Sequence, residues 1–95
     1  MIAVHPGRIL KRELTARDLS ANRLALSLRL PSGRITDILN GKRGISPDTA
    51  LRLARFFGNS ARFWLNLQTA FELAVAENES GPRILEEVRP GDAAA

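Results

Sequence analysis

The sequence predicts an all-α fold of five helices, and three observations support this prediction. Apolar residues recur at helical spacing in five separate stretches. Ser20, Ser46 and Ser60 each stand directly before such a stretch, where a serine hydroxyl can accept from the unpaired amides of a helix start. Pro31 separates two short helical patterns that lie close together in the chain. We therefore expect two of the five helices to be joined by a tight corner.

The first helix is predicted from Pro6 to about Leu14. Proline suits the first turn of a helix, and His5 stands near the cap position before it. The apolar stripe of this helix consists of Ile9, Leu10 and Leu14.

Two short helices follow the connector that ends at Leu19. The first of this pair runs from about Ala21 to Leu28, with Ser20 as its cap. Pro31 disfavours the α conformation for Leu30, so this helix must end there and the next can begin, from about Ser32 to Leu39. The pair forms a helix-turn-helix.

The third helix has one apolar and one polar face if each residue advances about 100°. The apolar face carries Ile35, Ile38 and Leu39. The opposite face carries Gly33, Thr36, Asp37 and Asn40, with Arg34 on its flank. Lys42 and Arg43 follow, between two glycines. A low-profile polar face with a basic pair at its exit suits entry into the major groove, where the cations meet phosphates.

The fourth helix is predicted from Pro47 to Phe57, and a fifth begins after Ser60. Beyond Asn78, the run from Glu79 to Pro82 is expected to break the fifth helix. Residues 83–88 are then expected to form a short strand or an extended arm. We thus predict a DNA-binding and dimerisation domain at residues 1–78 and a partly disordered C-terminal tail at residues 79–95.

The fifth helix carries more apolar residues than one core face needs. A chain of 95 residues buries only about 60 to 65% of its unfolded surface, so oligomerisation is a natural way to add core. We expect a homodimer whose interface includes Leu65, Leu73 and Trp64. The alternative is that the first helix or the tail covers this surface within one chain. Trp64 could also stack on bases together with Phe63 and Phe71, but aromatics at helical spacing favour the core.

The charge distribution is uneven along the chain. Residues 1–76 carry 12 Lys or Arg against 5 Asp or Glu, a net +7, and residues 77–95 carry 2 against 5, a net −3. A basic body favours polyanions such as double-stranded DNA through phosphate contacts and counterion release. The alternative is an ordinary solvated surface that is rich in arginine.

No constellation of catalytic groups is visible in the sequence. The one histidine stands at a helix start, the chain has no cysteine, and no glycine spacing matches a phosphate-binding loop. We expect no enzymatic activity, no cofactor and no metal. No stretch is long and apolar enough to cross a membrane, and His5 to Gly7 interrupt the apolar start that a secretory signal needs. A cytoplasmic location is therefore expected.

Three sequence blocks resemble HigA-type, or VapI-like, antitoxins of the XRE class, which is lambda-repressor-like. They are HPGRILKREL, the NGKRGIS exit of the helix-turn-helix, and DTALRLARFFGNSARFWLNLQTAFEL, which together cover His5 to about Glu77. The resemblance implies a five-helix lambda-repressor-like domain. It also implies a homodimer that binds a palindromic operator in its own promoter and neutralises a HigB-like toxin, an mRNA endonuclease of RelE-like fold that acts on the ribosome.

The resemblance also implies roles for individual residues. By position, Ser32, Gly33, Thr36 and Asp37 fall where relatives face bases, and Asn40, Lys42 and Arg43 fall where they contact phosphates. Many relatives of the wider class have glutamine at the start of the second helix. This chain departs from them, because it has Ala21 at that position. It also has short residues at positions 32 and 33, so we expect base readout to depend on Arg34, on Asp37 and on DNA shape. Asp37 could instead pair with Arg34 or Lys42.

Two alternatives to an antitoxin remain open. One is a free-standing repressor without a toxin, and the other is a helical adaptor that no longer binds DNA. A neighbouring reading frame for a small basic protein distinguishes the antitoxin from the free-standing repressor. If there is a toxin, we expect it to dock on the folded domain, with the first helix and its Arg8, Lys11 and Arg12 as the candidate surface. The acidic tail is the alternative toxin contact.

Overall fold

Residues 2–91, the part of the chain that the computed structural model describes, form five α-helices. They are α1 (Pro6–Ala16), α2 (Ala21–Leu28), α3 (Ser32–Leu39), α4 (Pro47–Phe57) and α5 (Ala61–Glu87). The predicted all-α fold is thus confirmed, and α1 is two residues longer than expected. The disorder predicted for the end of the tail lies, for residues 92–95, outside the described residues.

Side-chain caps fix the starts of four helices, as the sequence predicted. Each cap accepts from a backbone N–H of the first turn and so pairs one of the donors that a helix start leaves free. The bonds are His5 Nδ1 with Gly7 (2.9 Å), Ser20 Oγ with Arg23 (3.1 Å), Ser46 Oγ with Thr49 (3.3 Å) and Ser60 Oγ with Phe63 (3.0 Å). The local signals therefore place these starts correctly.

The corner between α2 and α3 turns at Arg29, directly after the predicted end of α2 at Leu28. Arg29 takes the left-handed conformation, with φ 58°, and the Leu30 amide donates back to the Ala25 carbonyl (3.0 Å). Pro31 is extended and precedes the first residue of α3. The proline ends α2 as predicted, and Arg29 supplies the change of direction.

A single core lies between the first four helices and the first half of α5. Its buried residues include Leu10 from α1, Leu24 from α2, Ile35 from α3, Leu53 from α4 and Trp64 from α5. The Trp64 ring is 0% exposed, and its Nε1 donates to Asn59 Oδ1 (2.8 Å). The prediction that Trp64 contributes to a dimer interface is wrong, because one chain already encloses the whole side chain.

The predicted break after Asn78 is also wrong. The helix α5 continues through Pro82 to Glu87, so residues 83–87 form neither a strand nor an extended arm. Proline has no N–H to donate, but its fixed φ of about −65° is a helical value. Beyond it, the Val88 amide still donates to the Ile84 carbonyl (2.9 Å), and Arg83 pairs with Glu87 (3.6 Å).

The second half of α5 projects beyond the core and makes the molecule long. The principal extents are 53 × 25 × 22 Å, and Ala74 is the last buried residue among those described. Leu73, Ile84 and Leu85 are exposed on this projection. No helix in residues 2–91 is long and apolar enough to span a membrane.

Candidate nucleic-acid interface

The helix α3 lies against α1 and α2 and presents one face outward. Ile35 and Ile38 are fully buried, and Leu39 is half-buried against the core. Gly33, Thr36 and Asn40 are exposed on the opposite side. The two faces predicted from helical periodicity are therefore those that the fold buries and exposes, except that Asp37 on the predicted outward face is half-buried.

Gly7 sets how closely α1 approaches α3. A Cβ at this position would overlap the Ile38 carbonyl oxygen, so the two backbones are in contact where α1 begins. The ring of the neighbouring His5 packs edge-on against Phe71 of α5, with centroids 4.8 Å apart. The packing role of Gly7 was not predicted, although a glycine after a cap and a proline at a helix start is a usable signal of close packing.

The predicted base-facing residues differ in exposure. Ser32, Gly33 and Thr36 are exposed, and the Thr36 hydroxyl donates to the Ser32 carbonyl (3.2 Å). Arg34 and Asp37 are half-buried. Within residues 2–91, Asp37 forms no ion pair with Arg34 or Lys42, so the expected alternative role for its carboxylate is not seen. Its oxygens can accept from a donor on a base edge.

The loop after α3 carries the predicted phosphate contacts. Asn40, Lys42 and Arg43 are exposed. The Lys42 amide donates to the Asp37 carbonyl (2.8 Å), which ties the start of the loop to the last turn of α3. Ile45 is buried at the other end of the loop. The two cations are thus held on a short segment with a fixed start and a fixed end.

Gln68 of α5 contacts this loop. Its Oε1 accepts from the Ile45 amide (2.8 Å), and its Nε2 donates to Glu72 Oε1 (2.9 Å). A Cβ on residue 44 would lie 2.7 Å from the Gln68 amide, so Gly44 leaves the room for this contact. Sequence reasoning missed Gln68, because no local pattern indicates a contact across 23 residues.

Arg52 of α4 holds the corner of the helix-turn-helix. Its Nη1 donates to the Leu28 carbonyl (2.9 Å), and its Nε donates to Asp48 Oδ2 (2.9 Å). A cation at the carboxyl end of α2 satisfies a carbonyl that the helix leaves unpaired and complements the helix dipole. This residue was also missed by sequence reasoning.

A second cationic surface lies on α1. Arg8, Lys11 and Arg12 are exposed and line a groove that Leu39, the last residue of α3, also borders. The cations therefore stand beside the carboxyl end of α3. No cluster of His, Cys, Asp or Glu suited to a metal ion occurs within residues 2–91.

The two other predicted dimer residues occupy different surroundings. Leu65 is half-buried and packs against the core. Leu73 is 54% exposed and borders an apolar hollow together with Ile84 and Leu85. Of the predicted interface residues, Leu73 is the one with a largely open side chain.

Comparisons with known proteins agree with this geometry. The family described as Helix-turn-helix (HTH_3) matches residues 10–64. The Virulence-associated protein I of Dichelobacter nodosus is 50% identical over 80 residues, which are 83% of this chain and 74% of that protein. An addiction module antidote protein of a HigA family from Coxiella burnetii is 51% identical, with a TM-score of 0.93 over 96% of this chain and 100% of that one.

A second solved structure, Pseudomonas aeruginosa antitoxin HigA with the higBA promoter, is 42% identical. Its TM-score is 0.91 over 94% of this chain and 98% of that one. The likeness to these structures therefore extends over nearly the whole chain, α5 included.

Proposed function

We propose that the chain is an antitoxin and represses its own operon by binding operator DNA. The chain belongs to the helix-turn-helix family and, within it, to the HigA-type antitoxins. The observation that carries the proposal is the similarity to an antitoxin HigA solved with its promoter. The exposed polar face of α3 supports it, because such a face next to a basic loop has the chemistry that the major groove and phosphates select.

In this proposal, α3 enters the major groove with Ser32, Gly33 and Thr36 nearest to the bases. Arg34 and Asp37 provide the longer polar groups, since arginine suits guanine and a carboxylate accepts from the cytosine amine. The phosphate contacts are made by Asn40, Lys42 and Arg43, whose side chains are exposed.

The operator is palindromic, and the protein binds it as a homodimer. The exposed apolar hollow on α5 supports a contact between two copies that includes Leu73. We keep the half-buried Leu65 as a further proposed residue of this contact. In a two-fold contact, the two subunits meet through the same surface patch. The two α3 helices would then lie about 34 to 36 Å apart, which is one turn of DNA. In this arrangement, residues 1–78 supply DNA binding and the start of the dimer contact.

The toxin that the chain neutralises is a HigB-like mRNA endonuclease. We place its docking surface on α1, where Arg8, Lys11 and Arg12 border a groove with the apolar side chains of Val4 and Ile9. The competing surface is the acidic segment after Asn78, whose charge suits a basic, RNA-binding partner.

Co-expression with the product of the adjacent gene tests this proposal. We expect the two proteins to purify together, and we expect the antitoxin alone to shift a fragment of its own promoter in a salt-dependent manner. A promoter shift without a toxin partner would instead identify a free-standing repressor. A toxin complex without any promoter shift would contradict the DNA-binding part of the proposal.

A further inference from the structure

We propose that Gln68 is a positioning residue for DNA binding, which holds the loop between α3 and α4 so that Lys42 and Arg43 face the phosphates. This inference rests on the proposed function, since it concerns how the same DNA-binding surface is kept in shape. Gln68 itself is half-buried on α5 and acts on DNA only through the loop.

Two hydrogen bonds from backbone amides, at Lys42 and at Ile45, tie the loop around the basic pair. At the first, the Lys42 amide donates to the Asp37 carbonyl (2.8 Å), which belongs to α3. At the second, the Ile45 amide donates to Gln68 Oε1 (2.8 Å), which belongs to α5. The second tie is the one made by a side chain, and it can be removed without changing the loop itself.

The Gln68 amide is held in the orientation that the Ile45 amide needs. Its Nε2 donates to Glu72 Oε1 (2.9 Å), so Oε1 is the atom left to face the loop. A rotation of the amide by 180° would set Nε2 against the Ile45 N–H and lose both bonds. Gly44 admits this close approach, because a side chain there would collide with the amide group.

Removal of this tie should weaken DNA binding in a way that does not depend on sequence. The Ile45 amide would lose its acceptor, and the loop would sample conformations that DNA must then restrict, at a cost in backbone entropy. Phosphate contacts carry no direct sequence information. The affinities for operator and for random DNA should therefore fall by the same factor.

The first test is Gln68→Leu, which removes both hydrogen bonds and leaves the net charge unchanged. We expect about a three- to tenfold loss of affinity on operator and on random DNA alike. In the background of Lys42→Ala with Arg43→Ala, the same change should cause no further loss. An equal loss in both backgrounds would overturn the proposal, because Gln68 would then be a general structural residue.

A charge-neutral exchange provides the rescue. In the double variant Gln68→Glu with Glu72→Gln, a carboxylate accepts from the Ile45 amide and from the new amide donor at position 72. We expect its affinity for operator DNA to return to within about twofold of wild type. An affinity as low as that of Gln68→Leu would contradict a role for this relay of hydrogen bonds.

Hydrogen exchange without DNA separates this inference from the proposed function. In Gln68→Leu, the Ile45 amide should exchange at least tenfold faster than in wild type, while the Lys42 amide, held by Asp37, should change less. Unchanged exchange at Ile45 would overturn the tie itself. If wild type failed to bind its promoter, the proposed function and the DNA role of Gln68 would both be rejected, whatever the exchange rates.

Discussion

At the scale of single residues, two glycines determine how closely α1 approaches α3 and how closely α5 approaches the loop after α3. Gly7 lets the start of α1 contact the Ile38 carbonyl of α3, and Gly44 lets the Gln68 amide reach the loop that carries the basic pair. Neither contact leaves room for a Cβ without a shift of its neighbour. Both glycines therefore allow close contacts that shape the surface around α3 and the loop after it.

Replacing Gly7 with alanine should destabilise the protein by about 1 to 3 kcal/mol, because the added methyl group must displace backbone rather than a flexible side chain. Urea unfolding at a fixed protein concentration measures the free energy of unfolding. Gly33→Ala is the matched control, since a Cβ there meets nothing within 4 Å and alanine favours a helix by roughly 0.5 to 1 kcal/mol. Equal effects of both changes would contradict the close contact at Gly7.

Replacing Lys42 and Arg43 together with alanine should weaken binding to all DNA sequences. Each phosphate contact contributes about 0.9 to the slope of log affinity against log salt, so the slope should fall by about one to two units. The measurement is a salt titration of affinity on operator and random DNA. An unchanged slope would remove both residues from the set of phosphate contacts.

Arg34→Ala is the contrasting variant for this experiment. If Arg34 reads a guanine, its loss should cost about 1 to 3 kcal/mol on the operator and little on random DNA. Similar losses on both DNAs would assign Arg34 to the phosphates instead.

At the scale of whole elements, α5 performs two separate tasks. Its first half closes the core through Trp64 and Ala74 and fixes the loop after α3 through Gln68. Its second half projects beyond the core and exposes Ile84 and Leu85. The two halves are one continuous helix, so the projection has a defined direction relative to the DNA-binding surface.

A truncation after Asn78 should leave the domain folded, because every buried residue of the described chain lies at or before Ala74. We expect the truncated and the full-length protein to have nearly the same midpoint of urea unfolding. Both are measured at one concentration, dilute enough for each to be a monomer. Circular dichroism should show the loss of about nine helical residues, residues 79–87. A truncated chain that is unfolded would disprove the proposed domain boundary.

The same truncation tests where the toxin docks. If α1 carries the docking surface, the shortened antitoxin should still rescue growth when it is co-expressed with the toxin. Failure of a folded truncation to rescue growth would assign the contact to the segment after Asn78.

At the scale of the whole molecule, the chain has a long projection with an apolar flank. A 95-residue monomer would need a closed shape to minimise its exposed apolar surface, and this shape is different. The chain buries a complete core for its first 74 residues and leaves Leu73, Ile84 and Leu85 open around one hollow. A second copy on this flank, as in the proposed homodimer, would cover these side chains.

Leu73→Asp should therefore convert the proposed dimer to a monomer, because a charge within a dimer contact cannot keep its hydration unless the subunits part. Sedimentation at several concentrations is the measurement. Leu51→Asp is the control, since Leu51 is 64% exposed on α4, away from this hollow, and its replacement should leave the dimer intact. A Leu73→Asp protein that stays dimeric and binds operator normally would exclude Leu73 from the interface.

The sequence by itself determined the local features of this protein. The bounds of α2, α3 and α4 and the start of α5 agree with the predictions, because caps, proline and helical periodicity act between residues a few positions apart. The polar face of α3 followed from the same periodicity. The three sequence blocks further identified the family, which the comparisons with known proteins confirm.

Only the tertiary structure decided the features that depend on distant residues. Trp64 lies in the core rather than at an interface, because it joins one buried cluster with residues of the other four helices, such as Leu10 and Leu24. The contacts of Gln68 with Ile45 and of Arg52 with Leu28 join segments more than 20 residues apart, which no local pattern encodes. The continuation of α5 through Pro82 was missed for a different reason. A proline removes one backbone hydrogen bond of a helix, but its φ is a helical value, so local propensity does not decide whether the helix ends or continues there.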